Sequence, residues 1–282
     1  MDGKEIIEVE GKIMKFKKAY RIIILFILLA SSLVSCTTAP TDTVSTSTPP
    51  NVESTPTLPA NTPIPSAAIL QASAAPAFIT DYEFPDSIDP AKQYLFYLHG
   101  KIIEDQGIPA ISPDYGEYEY EAILESLSGY GFVVISEQRP KNADGVKYAK
   151  RTAKQVIDLL EAGVPAKNIT VVGVSKGSYI AIYVSHFLEN EEVNFVILGS
   201  CYPDEVEILK QNQIFLHGNV LSIYDSVDIY AGSCKELFPL SESHGGLSRH
   251  EEIVLNVGTG HGILYKPLDE WILPTVEWAG KP

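Results

Sequence analysis

Short apolar runs alternate with stretches of helical periodicity from residue 94 to the end of the chain. Six runs lack polar alternation and predict buried strands, at residues 94–98, 132–135, 169–172, 193–198, 220–224 and 253–257. Between these runs, apolar residues at helical spacing predict helices near residues 120–129, 146–160, 180–188 and 268–278. Buried strands separated by helices indicate an α/β fold, in which a mostly parallel sheet is covered by helices on both faces.

The first part of the chain has a different pattern. Four Lys or Arg residues between positions 15 and 21 precede the run 22–30, which contains no polar residue. A membrane-spanning helix needs about 20 apolar residues, so this shorter run with basic residues ahead of it predicts a signal peptide over residues 1–35. Met14 is an alternative start, because the basic stretch follows it directly.

A lipid anchor and a linker are predicted to follow the signal peptide. Leu33-Val34-Ser35-Cys36 resembles a bacterial lipobox, which makes Cys36 the expected lipidation site. In residues 37–66, 20 of 30 residues are Thr, Ser or Pro, a composition that predicts a disordered linker. We therefore expect residues 36–77 to tether a folded domain, residues 78–282, to the membrane. The protein would be exported and held by lipid at the cell surface or the periplasmic face.

The composition argues against two classes of function. The chain carries 21 Lys and Arg residues against 36 Asp and Glu residues, a formal net charge of −15. Such an acidic surface repels phosphate backbones, so we expect no nucleic-acid partner. The three cysteines form no C-x-x-C motif and the six histidines are scattered, so we expect no metal site.

The clearest chemical motif is Gly173-Val174-Ser175-Lys176-Gly177, which follows the third predicted strand and precedes a predicted helix. A sharp turn between strand and helix exposes the central serine as a nucleophile, and the glycines let the two elements approach without Cβ clashes. The alternative is an ordinary serine helix cap between two glycines. A phosphate-binding loop is excluded, because Lys176 precedes the second glycine instead of following it.

A nucleophilic serine needs a base, and His261 is the predicted one. It lies in the glycine-rich segment 258–262, just after the last predicted strand. His244 and His250 precede that strand and are expected at the opposite edge of the sheet. The alternative for His261 is a loop histidine without a catalytic role.

The base needs an acid, and acyl transfer needs an oxyanion site. Asp225 and Asp228 both follow the fifth predicted strand. We favour Asp228 as the acid and expect Asp225 to form an Asx-type turn. The predicted oxyanion donors are the backbone N–H groups of Lys176, directly after the serine, and of Lys101, shortly after the first predicted strand.

The order Ser175, Asp228, His261, with His99-Gly100 upstream, resembles the α/β-hydrolase superfamily over nearly all of residues 94–280. The resemblance implies hydrolysis of a small-molecule ester or peptide through an acyl-enzyme, without a cofactor. A carboxylesterase is the first expectation. The alternatives are a peptidase or amidase, an acyltransferase with the same residues, and a non-catalytic surface binding protein. Residues 201–219 are too few for a lid domain, so the site is expected to be open.

The resemblance to α/β-hydrolases suggests a role for three further features. Cys201 and Cys234 each follow a Gly-Ser pair shortly beyond a strand, and these strand ends are expected to be neighbours, so we predict a disulfide beside the active site of an exported protein. Glu137 and Arg139, after the second predicted strand, are expected to form a structural ion pair rather than to bind substrate. Tyrosines and glutamates over residues 115–121 form an acidic and aromatic patch, for which we favour a solvated helix start over contact with substrate.

Overall fold

The computed structural model describes residues 78–79, 85 and 87–280. The predicted signal peptide over residues 1–35, Cys36 and the predicted linker up to residue 77 lie outside these described residues. Within the described part, no helix combines the length and the apolar character that are needed to cross a membrane.

The described residues form nine β-strands and seven α-helices. The strands are β1 (Phe78–Ile79), β2 (Gln93–Leu98), β3 (Ala110–Ser112), β4 (Gly116–Tyr118), β5 (Phe132–Ile135), β6 (Ile169–Val174), β7 (Asn194–Leu198), β8 (Gly218–Asp225) and β9 (Leu247–Leu255). The helices are α1 (Lys101–Gln106), α2 (Tyr120–Gly129), α3 (Gly145–Glu161), α4 (Lys176–Leu188), α5 (Pro203–Gln211), α6 (Leu237–Ser243) and α7 (Asp269–Trp278). Short 3₁₀ turns cover Ala166–Asn168 and Gly260–Tyr265.

Seven strands form one sheet in the order β1-β5-β2-β6-β7-β8-β9, and every neighbouring pair runs parallel. The predicted α/β fold with a parallel sheet is confirmed, and six of these strands correspond to the six predicted ones. From β2 the chain passes to β5 on one side and then returns to β6 on the other. The carboxyl ends of β2 and β6 therefore lie side by side, which brings the segments after Leu98 and Val174 together.

Side-chain alternation divides the core into two layers, one on each face of the sheet. In β2, Tyr94, Phe96 and Leu98 pack into the first layer, whereas Leu95 and Tyr97 pack into the second. Apolar residues of α3, α4, α5 and α6 complete the first layer. Those of α1, α2 and α7 complete the second. The sheet is thus buried on both faces, which explains why its strands read as uninterrupted apolar runs.

The last strand is longer than predicted, because β9 begins at Leu247 and not at residue 253. Residues 248–251 are polar and exposed, so they carry no apolar pattern, yet their backbone pairs with β8. An edge strand tolerates such polar side chains because only one of its sides is paired. His250 therefore lies inside the strand, and the prediction that it precedes the strand was wrong.

A short antiparallel hairpin, β3–β4, was not predicted from the sequence. Each of its strands has only three residues, too few to show a period of two. Tyr118 and Tyr120 are almost fully buried, so the prediction of a solvated helix start was wrong for them. Their hydroxyls are bonded in the interior, Tyr118 to the Tyr97 hydroxyl and Tyr120 to the Ser136 hydroxyl, both at 2.6 Å.

Candidate active site

The turn between β6 and α4, residues 173–177, is called the elbow below. It holds Ser175 in a strained backbone conformation, with φ 52° and ψ −118°. Such angles persist in a residue with a Cβ only where the surrounding structure fixes the turn. The alternative of a serine helix cap is not supported, since the Ser175 side chain makes no capping hydrogen bond. The hydroxyl is therefore available to a partner outside its own helix.

Two glycines allow the close packing around the elbow. A Cβ atom on Gly177 would lie 1.8 Å from the carbonyl oxygen of Leu98, and one on Gly173 would lie 2.3 Å from the carbonyl oxygen of Gly177. Neither position has room for a side chain. The end of β2 and the elbow are therefore in backbone contact, which places the segment after Leu98 next to Ser175.

Ser175, His261 and Asp228 form a continuous hydrogen-bonded chain. The Ser175 Oγ lies 2.9 Å from His261 Nε2, and His261 Nδ1 lies 2.7 Å from Asp228 Oδ2. With the ring proton on Nδ1, His261 donates to the Asp228 carboxylate and accepts from the Ser175 hydroxyl. The His261 side chain is 12% exposed, whereas the Asp228 side chain is fully buried. The fold thus brings together three residues that follow β6, β8 and β9.

Asp225 has a different set of partners from Asp228. Its Oδ2 accepts hydrogen bonds from the backbone N–H groups of Gly258 at 2.9 Å and Thr259 at 3.3 Å. Its Oδ1 accepts from the N–H of Val227 at 3.2 Å, which is the predicted Asx-type turn. Asp225 therefore anchors the loop that carries His261, and Asp228 is the carboxylate that contacts the ring.

The other histidines occupy different places in the fold. His186 lies within α4, His217 directly precedes β8, and His244 follows α6. His250 lies in β9 and is 3.0 Å from the Glu242 carboxylate. Among the residues that the structure describes, no group of three or more His, Cys, Asp or Glu side chains could hold a metal ion.

A cleft of about 160 Å³ opens over Ser175. Lys101 and His261 line it beside the serine, and Ile102, Leu264 and Tyr265 supply apolar wall. Lys101 and Lys176 are the first residues of α1 and α4. A backbone N–H in the first turn of a helix has no acceptor within that helix, so both groups can bind an outside oxygen.

No family model matches this sequence, and no curated protein is similar to it. Solved structures of similar shape include SOBER1 from Arabidopsis thaliana, at 12% identity and TM-score 0.43, covering 68% of this chain and 100% of that one. Esterase PE8 matches at 16% identity and TM-score 0.44 over 67% of this chain and 93% of its own. The Pyrococcus furiosus esterase Pf2001 matches at 14% identity and TM-score 0.42 over 68% of this chain and 79% of its own.

At these identities and TM-scores, the solved structures do not identify the fold of this chain, whereas its own strands do. The parallel strand order, the strained elbow after β6, and the aspartate and histidine that follow β8 and β9 decide the fold. The chain has the α/β-hydrolase fold.

In this α/β-hydrolase fold, the turn after β5 contributes a buried charge. Arg139 pairs with Glu104 of α1, with 2.7 Å between Nε and Oε1, and both side chains are almost fully buried. Glu137 pairs instead with Arg151 of α3, at 3.3 Å. The predicted Glu137–Arg139 ion pair was therefore wrong, because Arg139 turns into the interior toward α1. Sequence analysis missed Glu104, since an isolated glutamate on a short helix has the pattern of a solvated residue.

His99 is buried beside this charge and remains neutral. Its Nε2 accepts a hydrogen bond from the backbone N–H of Arg139 at 2.9 Å, and its Nδ1 lies 2.8 Å from the carbonyl oxygen of Gly100. Burial, and next the Arg139 charge, lower the pKa of His99 to about 3. A neutral ring with its proton on Nδ1 satisfies both contacts, so His99 links the segment after β2 to the turn after β5.

The predicted disulfide between Cys201 and Cys234 is present, with 2.01 Å between the two sulfurs. It joins the segment after β7 to the segment after β8 that carries Asp228. Both cysteines are buried. Each follows a serine, and in each pair the serine hydroxyl and the cysteine N–H bind one carboxylate, Glu205 for Cys201 and Glu252 for Cys234. Hydrogen bonds therefore fix the backbone at both cysteines, and the bridge is attached to the segment that carries Asp228.

Proposed function

We propose that this protein is a serine hydrolase that cleaves carboxylic esters through an acyl-enzyme. The observation that carries the proposal is the hydrogen-bonded chain from Ser175 through His261 to Asp228. The chain begins at a serine in a strained turn and ends at a buried carboxylate. A serine hydroxyl becomes an effective nucleophile when a base accepts its proton, and a carboxylate keeps that base oriented.

In the proposed reaction, Ser175 Oγ attacks the acyl carbon while His261 Nε2 takes the hydroxyl proton. The Asp228 carboxylate accepts a hydrogen bond from Nδ1–H of His261 and stabilises the imidazolium ring that forms. His261 then gives its proton to the leaving alcohol, and the acyl group stays on Ser175. A water molecule then gives a proton to the same ring and attacks the acyl carbon. The bond between that carbon and Ser175 Oγ breaks, His261 returns the proton to Ser175, and the carboxylic acid leaves.

The tetrahedral intermediates carry a negative oxygen, which the proposal assigns to two backbone N–H groups. One belongs to Lys176, which directly follows the nucleophile and opens α4. The other belongs to Lys101, which opens α1 and lines the cleft. The backbone contact between Gly177 and Leu98 supports this assignment, because it keeps the two segments adjacent.

The size and openness of the cleft favour small esters. Its volume of about 160 Å³ is below the roughly 300–1,000 Å³ of pockets that hold drug-sized ligands. Its apolar wall suits a short acyl group. Between β7 and β8 the chain forms only the helix α5, so this connection supplies no lid domain. A small, open site suits a carboxylesterase that acts on short-chain substrates.

Labelling with a fluorophosphonate tests the proposal. The intact protein is treated with the probe and the labelled peptide is mapped, together with the variants Ser175→Ala and Ser226→Ala. We expect label on Ser175 in the unmodified protein and in Ser226→Ala, whose hydroxyl is exposed and bonded to Asn256. Ser175→Ala should take up no label. Hydrolysis of short-chain nitrophenyl esters, compared with the matching anilides, then separates an esterase from an amidase.

A folded protein that takes up no label would contradict the proposal and favour a non-catalytic binding protein. Label on a serine other than Ser175 would also contradict it. Release of the acyl group to an added alcohol faster than to water would indicate an acyltransferase with the same residues.

We further propose that the protein is exported and anchored by lipid on Cys36. The lipobox-like motif carries this proposal, and the buried Cys201–Cys234 bridge supports it, since disulfides persist in oxidising compartments. In a bacterial host, the protein with its natural sequence should fractionate with membranes and take up labelled fatty acid. Cys36→Ala should do neither. Membrane association that survives Cys36→Ala would refute the anchor.

A further inference from the structure

A buried carboxylate joins the two segments that flank the cleft. The Glu104 side chain, on α1, is fully buried. One of its oxygens accepts a hydrogen bond from Arg139 Nε at 2.7 Å, and the other accepts from the Lys176 ammonium group. Lys176 also donates to the carbonyl oxygen of Ala143 at 2.8 Å. A buried charge destabilises a fold unless it is paired, so the Glu104 carboxylate depends on both cations.

Each group in this cluster is attached to a part of the site. Lys176 is the residue after Ser175 and opens α4. Glu104 lies one turn after Lys101, which opens α1. Arg139 donates to the carbonyl oxygen of His99, two residues before Lys101. The Glu104 carboxylate therefore fixes the start of α1 against the start of α4, where the two proposed oxyanion donors lie.

The cluster also has an excess of positive charge. Glu104 carries one negative charge, whereas Arg139 and Lys176 each carry a positive one. The neighbouring His99 adds none, because its buried ring is neutral. Such an excess favours a negative oxygen nearby. Neutralising Glu104 would increase the excess, so a loss of kcat in Glu104→Gln reports the positions of the donors and not the charge of the cluster.

We propose that Glu104 is a positioning residue for the oxyanion site and acts through its contacts with Lys176 and Arg139. The inference rests on the proposed serine hydrolase function and adds to it a residue that touches neither the substrate nor Ser175. Loss of the Glu104–Lys176 contact lets the two N–H donors move apart. That movement weakens the binding of the developing oxyanion and leaves ground-state binding of the ester nearly unchanged.

The first variant in the test removes the Lys176 ammonium group, the more exposed partner of Glu104. Lys176→Met keeps the backbone N–H and leaves Glu104 paired with Arg139, and it is a tolerable change because the Lys176 side chain is 22% exposed. Lys176→Arg restores a cationic donor and serves as the rescue variant. Lys154→Met breaks a surface pair with Asp158 at 2.7 Å and is the matched control. Glu104→Gln removes the negative charge itself.

We expect Lys176→Met to lower kcat on a short-chain nitrophenyl ester by about 10- to 100-fold, with KM within about threefold of the unmodified protein. Its affinity for phenylboronic acid should fall by a similar factor, because the adduct with Ser175 places an oxygen in the oxyanion site. Lys176→Arg should recover most of both losses, and Lys154→Met should show neither. Glu104→Gln should lose at least as much kcat as Lys176→Met, at a temperature where both are folded.

Two results would overturn the inference. One is a folded Lys176→Met protein with unchanged kcat and boronate affinity, and the other is a loss that resides in KM alone. If Lys176→Met does not fold, Lys176→Gln takes its place with the same expectations. Unmodified protein that is not labelled at Ser175 refutes the proposed function, whereas labelled protein with unaffected variants refutes only the role of Glu104.

Discussion

At the scale of single residues, Asp225 and Asp228 differ in the groups that their carboxylates bind. Asp228 contacts the ring of His261, and Asp225 contacts the backbone of the loop that carries the ring. Both aspartates follow the same strand, so sequence position alone named two candidates. The choice between them depends on the direction of each side chain, which the packing of the β8 and β9 ends determines.

This difference predicts opposite effects of two matched substitutions. Asp228→Asn should lower kcat by about 10⁴-fold with little change in melting temperature, because an amide no longer stabilises the imidazolium ring or its tautomer. Asp225→Asn should keep kcat within about tenfold and lower the melting temperature, because a neutral amide oxygen binds the loop N–H groups more weakly. Steady-state kinetics and thermal melts by circular dichroism measure both. The reverse order of kcat losses would exchange the two roles.

His99 should make the free energy of unfolding depend on pH. Its pKa is about 3 in the folded protein and 6.5 in an unperturbed histidine. Between these values the unfolded chain binds a proton that the folded protein does not, so stability decreases as pH falls from about 6.5 toward 3. We expect His99→Gln to lose less stability than the unmodified protein between pH 7 and pH 4, by an amount on the order of a few kcal/mol. Urea unfolding at a series of pH values measures this difference, and parallel curves for the two proteins would contradict the prediction.

At the scale of elements, the elbow works because β2, β6 and α4 approach one another closely. Ser178 joins α4 to β6 and β7, since its hydroxyl oxygen lies 2.6 Å from the carbonyl oxygen of Gly173 and 2.7 Å from that of Leu198 and can donate its one proton to either. Sequence analysis could predict the elbow because the glycine spacing is local. It could not identify the Leu98 backbone atoms that require Gly177, because Leu98 is distant in the chain.

Gly177→Ala should therefore damage the whole fold. The added Cβ would meet backbone atoms of Leu98, which cannot rotate away as a side chain does. We expect a loss of about 3 kcal/mol or more in the free energy of unfolding, together with loss of labelling at Ser175. Gly129→Ala is the matched control, because a Cβ there meets nothing within 4 Å at the end of α2. The control should be neutral or more stable by up to about 1 kcal/mol. A Gly177→Ala protein as stable as the control would show that the contact is not tight.

At the scale of the whole molecule, the features that were predicted from sequence are those with a local pattern. The buried strands of the parallel sheet, the elbow and the glycine-rich loop of His261 each leave a signal within a few residues. The pairing of Arg139 with Glu104 leaves no such signal, because the partners are 35 positions apart and come together only through the crossing of the chain between β2 and β5. The hairpin β3–β4 and the polar start of β9 were not predicted for a related reason, since no apolar side-chain pattern accompanies their backbone pairing.

The disulfide acts at this same scale, because it ties together two segments of the chain that follow β7 and β8. It closes a loop with a sequence separation of 33, for which chain entropy predicts a stabilisation of about 3–4 kcal/mol. In a domain of this size that corresponds to a fall in melting temperature of roughly 10 °C for the double variant Cys201→Ala, Cys234→Ala. Reductant should lower the melting temperature of the unmodified protein toward the same value, and Cys36→Ala, which leaves the bridge intact, should not change it.

Activity should survive the loss of this bridge better than it survives Asp228→Asn. Asp228 lies inside the closed loop, but its position is also fixed by the Tyr230 N–H, which donates to Asp228 Oδ1 at 2.8 Å, and by its own N–H, which donates to the Asp225 carbonyl oxygen at 2.9 Å. We therefore expect the double variant to keep a kcat within about tenfold of the unmodified protein at a temperature well below its melting point. A loss as deep as that of Asp228→Asn would mean that the covalent bond, and not these hydrogen bonds, holds the aspartate under the imidazole.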